Sequence, residues 1–177
     1  MKKFTALLLV LVLAVGLLSG CGSKDERVVY VYNWGEYMDE SLNDEFTAKT
    51  GIKVVYDYFD TNEALYALLK GGSAEYDVIF PSDYMIERMI NEDMLAKIDY
   101  SKLPNYANID DKFKNLPYDP EGQYSVPYLW GILGIIYNTT MVDEPVDSWD
   151  ILWDEKYKDE ILMQDSVRDT FAVALKR

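Results

Sequence analysis

Over residues 28–92, short apolar runs alternate with stretches of helical spacing. Val28, Val29, Tyr30, Val31 and Tyr32 follow one another without a break, and the chain turns polar at Asn33. A short run apolar on both sides reads as a buried strand in a parallel sheet. Gly35 marks a turn, and residues 38–50 carry helical spacing, with Asp39 as a cap, Leu42 and Phe46 as the inner face and Gly51 just past the last turn. Residues 52–58 give a second strand. Thr61 caps the next helix, whose inward residues are Leu65, Leu68 and Leu69 and whose stop is Gly71-Gly72. Residues 76–80 form a third buried strand, cut off by Pro81, and a helix with Met85, Ile86, Met89 and Ile90 on one face runs to about Glu92. The order β-α-β-α-β-α predicts a parallel sheet with right-handed crossovers.

Beyond residue 98 the pattern loosens into short helical turns and loop. Pro117, Asp119, Pro120 and Gly122 make a turn-rich segment. Residues 123–128 and 130–138 read as two further strands, with Gly131 and Gly134 marking a bend or a close backbone approach in the second. Asp147, Ser148 and Trp149 open a short helix through Ile151 to Trp153. Ile161, Leu162 and Met163 read as a short strand, and Asp165 or Ser166 starts a last helix bearing Val167, Phe171 and Leu175. That helix meets Lys176-Arg177 with no Gly, Asn or Pro to stop it, so the chain reads as a fragment. There are no internal repeats.

A length of 177 residues suits one domain, or one domain and part of another. With 49% hydrophobic and 27% charged residues the composition is that of a globular protein, which argues against disorder. The net charge is −14, and it becomes −16 once Lys2 and Lys3 are removed with the leader described below. Such acidity argues against nucleic acid and for cationic or neutral partners, although solubility alone is an equally good reason for it. With no His, a His-based triad and a His-ligated zinc are excluded, and one Cys allows neither an internal disulfide nor a Cys cluster for metal.

Residues 1–20 read as a signal peptide, with a positive Lys2-Lys3 start and an apolar stretch over residues 4–18. That stretch is shorter than the ~20 apolar residues a transmembrane helix needs. It ends in Leu18-Ser19-Gly20-Cys21, which resembles the lipobox of bacterial lipoproteins. In that setting Cys21 is lipidated and becomes the new N-terminus, giving a membrane anchor on the extracytoplasmic face of the cell membrane, in the periplasm or at the cell surface. Secretion with a free cysteine is the other reading. Residues 21–27 are a polar tether.

A strand-loop-helix unit places its loop at the carboxyl end of the sheet, where open α/β folds bind ligands. The loop after the first strand supplies Trp34, Glu36 and Tyr37, and that after the third supplies Ser82, Asp83 and Tyr84. Tyr124, Tyr128 and Trp130 add aromatics further along. Carboxylates accept charge-assisted hydrogen bonds from ammonium groups, and ring faces attract cations, so the set suits an organic cation. On residues 28–37 alone, a strand end with Trp34 packed in the core reads equally well. With 15 Tyr and 31 acidic residues, some such clusters also arise by chance.

Four motifs taken together resemble one family: Tyr-Asn-Trp-Gly-Glu-Tyr (32–37), Thr-Gly-Ile-Lys-Val (50–54), Tyr-Asp-Val-Ile-Phe-Pro-Ser-Asp-Tyr (76–84) and Tyr-Ser-Val-Pro-Tyr-Leu-Trp-Gly (124–131). The mature chain resembles the spermidine/putrescine-binding proteins of bacterial ABC importers. The resemblance implies a periplasmic-binding-protein-like α/β fold of type II, with two lobes of parallel or mixed sheet and flanking helices. Residues 28–137 would be the first lobe, and residues 138–177 the start of a second lobe that is incomplete here. It further implies a monomer that holds a polyamine in the cleft between lobes and delivers it to an ABC transporter permease, without cofactor, metal or enzymatic activity.

Carried over by position, Trp34 and Tyr37 are aromatic walls, Glu36 lies near an ammonium, and Ser82 and Tyr84 contact the ligand. Asp169 stands where the family has an amine-binding acid, and Asp83 and Ser166 are further candidates. Spermidine-binding members carry a second acid at the position of Ser166, which leaves the preferred polyamine open; Asp165 is one position away. Two other functions compete. One is a binding protein of the same fold for another solute, a sugar or a metal. The other is a glycosidase using a carboxylate pair such as Glu36 and Asp83, although nothing in the spacing singles out that pair.

Overall fold

The computed structural model describes residues 27–176, which divide into two compact units. The leader, the lipobox with Cys21 and nearly all of the tether lie outside the described residues. Arg27, read from sequence as the end of the tether, is the first residue of a strand.

The first unit takes in the described residues up to Tyr58 together with Glu75–Ile79. Strand β1 (Arg27–Trp34) is followed by helix α1 (Ser41–Thr50), strand β2 (Ile52–Phe59) and, later in the chain, strand β3 (Val78–Ile79). The sheet order is β2-β1-β3, with β1 and β3 parallel and Val31 opposite Val78, Tyr32 opposite Ile79. The chain thus lays β2 on one side of β1 and returns to the other side for β3. That reversal is the topological switch point of open α/β sheets, and it sets the carboxyl ends of β1 and β3 side by side.

Three expectations for this unit need correction. First, β1 is buried only in its second half, at Val31, Tyr32 and Asn33, while Tyr30 is exposed. The strand runs through Asn33 to Trp34 instead of turning polar there. Second, β3 is two residues long, and Val78 is exposed. The Asp77 carboxylate accepts from the Tyr30 amide at 2.8 Å while the Asp77 amide donates to the Tyr30 carbonyl at 2.9 Å, so a side chain takes the place of a ladder carbonyl and ends the pairing. Tyr76 stacks on Tyr32, with ring centroids 4.5 Å apart and planes 6° apart, and donates its hydroxyl to Asp57.

Third, α1 starts at Ser41 and buries no residue; Leu42 and Phe46 are exposed. Two large apolar side chains on ten residues make too narrow a stripe to bury. The helix is secured at its ends. Asp39 accepts from the Ser41 amide, Gly51 turns left-handed at φ 68° to donate to the Thr47 carbonyl, and the Arg27 guanidinium reaches the Thr50 carbonyl at 2.9 Å.

The second unit takes in Phe59–Ala74 and the residues from Phe80 on. Helix α2 (Asn62–Lys70) is capped by Thr61, whose hydroxyl accepts from the Ala64 amide. Helix α3 (Asp83–Asn91) begins after Ser82. Leu65, Met85 and Met89 are fully buried, in keeping with their expected inward faces. A charged cluster ties the far ends of the two helices. Glu92 accepts from the Tyr66 hydroxyl at 2.7 Å, the Lys70 ammonium at 2.6 Å and the Arg88 guanidinium at 3.0 Å, and Arg88 also lies 3.8 Å over the Tyr66 ring. Short 3₁₀ turns follow at Tyr100–Lys102, Pro104–Asn108 and Asp111–Phe113. Asp119 is buried in the turn beyond them, where its carboxylate takes the amides of Gln123, Tyr124 and Ser125 and the Ser125 hydroxyl. Burial pushes this carboxyl up, but those four donors together hold it below its ordinary value.

The strands expected at 123–128, 130–138 and 161–163 are not formed. Ile136 is 100% exposed and Leu162 99%. An apolar run becomes a strand only where a neighbouring strand takes its backbone hydrogen bonds in a ladder. The run at 123–128 has instead isolated bonds, from the Ile98 amide to the Gln123 carbonyl at 2.8 Å and from the Tyr100 hydroxyl to the Ser125 carbonyl at 2.8 Å. The short helix after Ser148 is a 3₁₀ turn, Trp149–Trp153. Helix α4 (Val167–Leu175) forms, but Val167, Phe171 and Leu175 all point to solvent, and its buried residue is Val173.

Candidate ligand-binding site

In the first unit, β1 delivers Trp34 at its carboxyl end. The strand stops there because Asn33, fully buried, turns its amide to local use: its Oδ1 accepts from the Trp34 amide at 2.8 Å and its Nδ2 donates to the Tyr56 hydroxyl at 2.6 Å. The following turn brings Tyr37 back beside Trp34, with ring centroids 6.0 Å apart and planes inclined by 32°. Glu36 takes the left-handed conformation, φ 60°, a geometry uncommon for a residue with a side chain. Gly35, Glu36, Met38, Glu40 and Tyr58 line an open depression. The Tyr58 hydroxyl donates to Glu40, and that bond pushes its phenol up to about 12. Two carboxylates and two ring faces at one strand end offer hydrogen-bond acceptors and cation–π surface to an organic ammonium.

In the second unit, Ser82 and Tyr84 at the start of α3 converge on one residue of α2. Asn62, 5% exposed, donates from Nδ2 to the Ser82 hydroxyl and to the Tyr84 hydroxyl, both at 3.0 Å, and accepts from the Ser82 amide at 2.9 Å. The Tyr84 hydroxyl donates to Glu63 at 3.1 Å. Burial raises the Tyr84 phenol, the Asn62 bond lowers it, and Glu63 raises it again, for a net rise. Asp83 is exposed, and its carboxylate accepts from the Tyr84 amide.

At α4, Ser166 acts as the N-cap, its hydroxyl accepting from the Asp169 amide at 3.4 Å. Asp169, half-buried, sits in the first turn, where its charge suits the helix dipole. Between them Arg168 lays its guanidinium over the Tyr84 ring, 4.6 Å from the centroid. The remaining aromatics are engaged elsewhere: Tyr128 meets Phe80 edge-on at 5.0 Å, Trp130 meets Phe113 at 5.5 Å, and Lys97 lies 5.8 Å over the Tyr124 ring.

The structure therefore groups Trp34 with Tyr37, Ser82 with Tyr84, and Ser166 with Asp169. Sequence reasoning missed Asn33 and Asn62. Asn62 had a legible signal, since it lies three positions before Leu65 on the inward face of a helix and is polar. Among the described residues no group of three or more His, Cys, Asp or Glu could hold a metal ion, and no helix is long and apolar enough to cross a membrane.

Residues 41–176 match the family model for bacterial extracellular solute-binding proteins. The spermidine/putrescine-binding periplasmic protein of Escherichia coli (strain K12) is 42% identical over 180 residues, covering 100% of this chain and 51% of the relative. The chain thus spans about half the length of the curated relatives it matches. Among solved structures, the spermidine/putrescine ABC transporter substrate-binding protein PotD of Streptococcus pneumoniae is 48% identical with a TM-score of 0.66, covering 75% of this chain and 41% of its own. The TpPotD lipoprotein of Treponema pallidum is 35% identical with a TM-score of 0.77, covering 84% of this chain and 47% of its own. The α/β architecture is thus the periplasmic-binding-protein-like fold of these structures, and the chain belongs to the bacterial extracellular solute-binding proteins.

Proposed function

We propose that the protein captures polyamines, putrescine and spermidine, outside the cytoplasm and passes them to the permease of an ABC importer. It binds its ligand as a monomer and does not transform it. The observation that carries this reading is the Trp34–Tyr37 ring pair at 6.0 Å with Glu36 between them in sequence, in a chain 42% identical to a spermidine/putrescine-binding protein. Aromatic faces and a carboxylate together match an ammonium on a methylene chain: the rings pack on the methylenes and attract the charge, and the carboxylate accepts its hydrogens. Ser82, Tyr84 and Asp169 contribute further contacts, with Asp83 and Ser166 in supporting positions. Residues 28–137 belong to one lobe, and residues 138–177 open the second.

We also propose that Cys21 carries a lipid anchor at the extracytoplasmic face of the membrane. Leu18-Ser19-Gly20-Cys21 supports it, as does the likeness to a protein described as a lipoprotein in Treponema pallidum.

The test is a ligand panel on the complete gene product, read by calorimetry and by tryptophan fluorescence. Putrescine and spermidine are expected to bind with saturable heats and to change the emission. Binding of maltose or calcium ions in place of both amines would overturn the polyamine reading and leave a solute-binding protein of another specificity. Time-dependent conversion of a bound ligand would overturn the claim that it does no chemistry.

A further inference from the structure

We propose that Asn62 is a positioning residue for polyamine recognition, one that fixes both the location and the hydrogen-bond polarity of Ser82 and Tyr84. The inference rests on the polyamine reading above. A backbone N–H can only donate, and the Ser82 amide lies 2.9 Å from Asn62 Oδ1, so the carbonyl end of the Asn62 amide must face it. That assignment turns the Nδ2 end towards the two hydroxyls, each 3.0 Å away, and its two hydrogens are shared one to each. Both hydroxyl oxygens are therefore acceptors with respect to Asn62.

The Tyr84 proton is in turn committed to Glu63, at 3.1 Å. What Tyr84 has left to offer is a lone pair, and Ser82 retains one as well. An ammonium has only donors, so a pair of prearranged acceptors is what it needs. Two conformationally free hydroxyls would otherwise have to be ordered when ligand binds, at a cost in entropy.

Burial makes the arrangement rigid. Asn62 is 5% exposed and sits one helical turn before the fully buried Leu65, so its side chain has little room for another rotamer. Helix α2 thereby sets groups carried by α3, and Asn62 exerts its effect without touching ligand itself.

The experiment measures putrescine binding to the complete gene product by calorimetry, for the wild type and for Asn62→Ala. The two lost hydroxyl bonds should weaken putrescine by about tenfold or more, while the number of sites per molecule stays the same. A merely structural role would lower the fraction of active molecules and leave the dissociation constant of the rest unchanged, and that result would overturn the proposal. In a Ser82→Ala, Tyr84→Phe background, adding Asn62→Ala should change the dissociation constant no further, because the groups it positions are gone. A full additional loss there would also overturn it.

If Asn62→Ala does not fold, Asn62→Asp keeps an acceptor facing the Ser82 amide but replaces the two donors by an anionic oxygen, which turns both hydroxyls from acceptors into donors. It is measured at high salt to screen the added charge. The same weakening is expected, and wild-type affinity in that variant overturns the role. Absence of putrescine binding by the wild type itself would overturn the polyamine reading and this inference together, whereas equal binding by wild type and variant overturns this inference alone.

Discussion

The guanidinium of Arg168 lies over the face of the Tyr84 ring, its central carbon 4.6 Å from the centroid. This contact joins the first turn of α4 to the first turn of α3. Because Val173 is the buried residue of α4, the helix has few other holds within its unit. An exposed cation–π pair contributes about 0.5–1 kcal/mol. Arg168→Met keeps the aliphatic stem and removes the charge, so it should destabilise the protein by about that amount. It should also speed amide exchange in residues 167–175 more than in α2. Urea unfolding with hydrogen exchange measures both, and unchanged exchange in α4 would show that the contact does not hold the helix.

Glu92 offers a pH-dependent counterpart at the other end of α3. Hydrogen bonds from Lys70, Tyr66 and Arg88 hold its carboxyl at about 2, below the ordinary 4.5. A depressed folded-state value means that its contribution is fully present above the unfolded value. It is lost as pH falls from about 4.5 towards 2. The side chain is partly open to solvent, so screening keeps the effect small. The thermal midpoint should fall more steeply across that window in the wild type than in Glu92→Gln, with the two curves running parallel above pH 5. Parallel curves at all pH values would mean that the cluster contributes nothing.

Much of this fold could be read from sequence because local signals and burial agreed. Thr61 capped α2 as its position before an apolar stripe requires, Gly51 closed α1 in the left-handed region, and Leu65, Met85 and Met89 were inward by spacing alone. The absent strands share a cause. Residues 123–138 and 161–163 have strand-like composition, but a strand is defined by its neighbour, which periodicity does not reveal. For the site, Trp34, Glu36 and Tyr37 were visible as residue types at a strand end. Asn33 was not, and Asn62 showed only as a polar residue on an inward helix face, since a buried asparagine reveals its role through partners distant in sequence, such as Tyr56 and Ser82.

The two acid-and-aromatic contacts proposed for the ligand should differ in magnitude. Trp34→Ala removes a ring face and its packing, and should cost about 1–2 kcal/mol of polyamine binding in the complete gene product. Asp169→Asn leaves an ammonium without its counter-charge, and should cost about 2–5 kcal/mol if that ammonium is desolvated. Calorimetry on both variants distinguishes the cases. Wild-type affinity in each would remove Trp34 and Asp169 from the site.

The lipid anchor is tested independently of ligand. Wild-type protein should fractionate with membranes and incorporate a labelled fatty acid in a bacterial host. Cys21→Ala should do neither, because the single thiol of the chain is gone. Two acyl chains give stable attachment where one is marginal, so the difference should be all or none and not a graded shift. Equal labelling of the two proteins would exclude Cys21 as the acylated residue.

Under the polyamine reading, Ser166 would serve two purposes. As N-cap of α4 its hydroxyl accepts from the Asp169 amide, a role that aspartate fills as well as serine, with a charge that the helix N-terminus favours. Ser166→Asp should therefore leave stability unchanged or slightly raised while adding a carboxylate three residues from Asp169. One more negative charge favours the ligand with more ammoniums, and spermidine carries three where putrescine carries two. The substitution should then improve spermidine binding more than putrescine binding. The wild type, with the uncharged Ser166, should lean towards putrescine by comparison. Competition calorimetry with the two amines on both proteins gives the ratio directly. A larger gain for putrescine than for spermidine, at equal thermal stability, would show that residue 166 does not face the ligand's third ammonium.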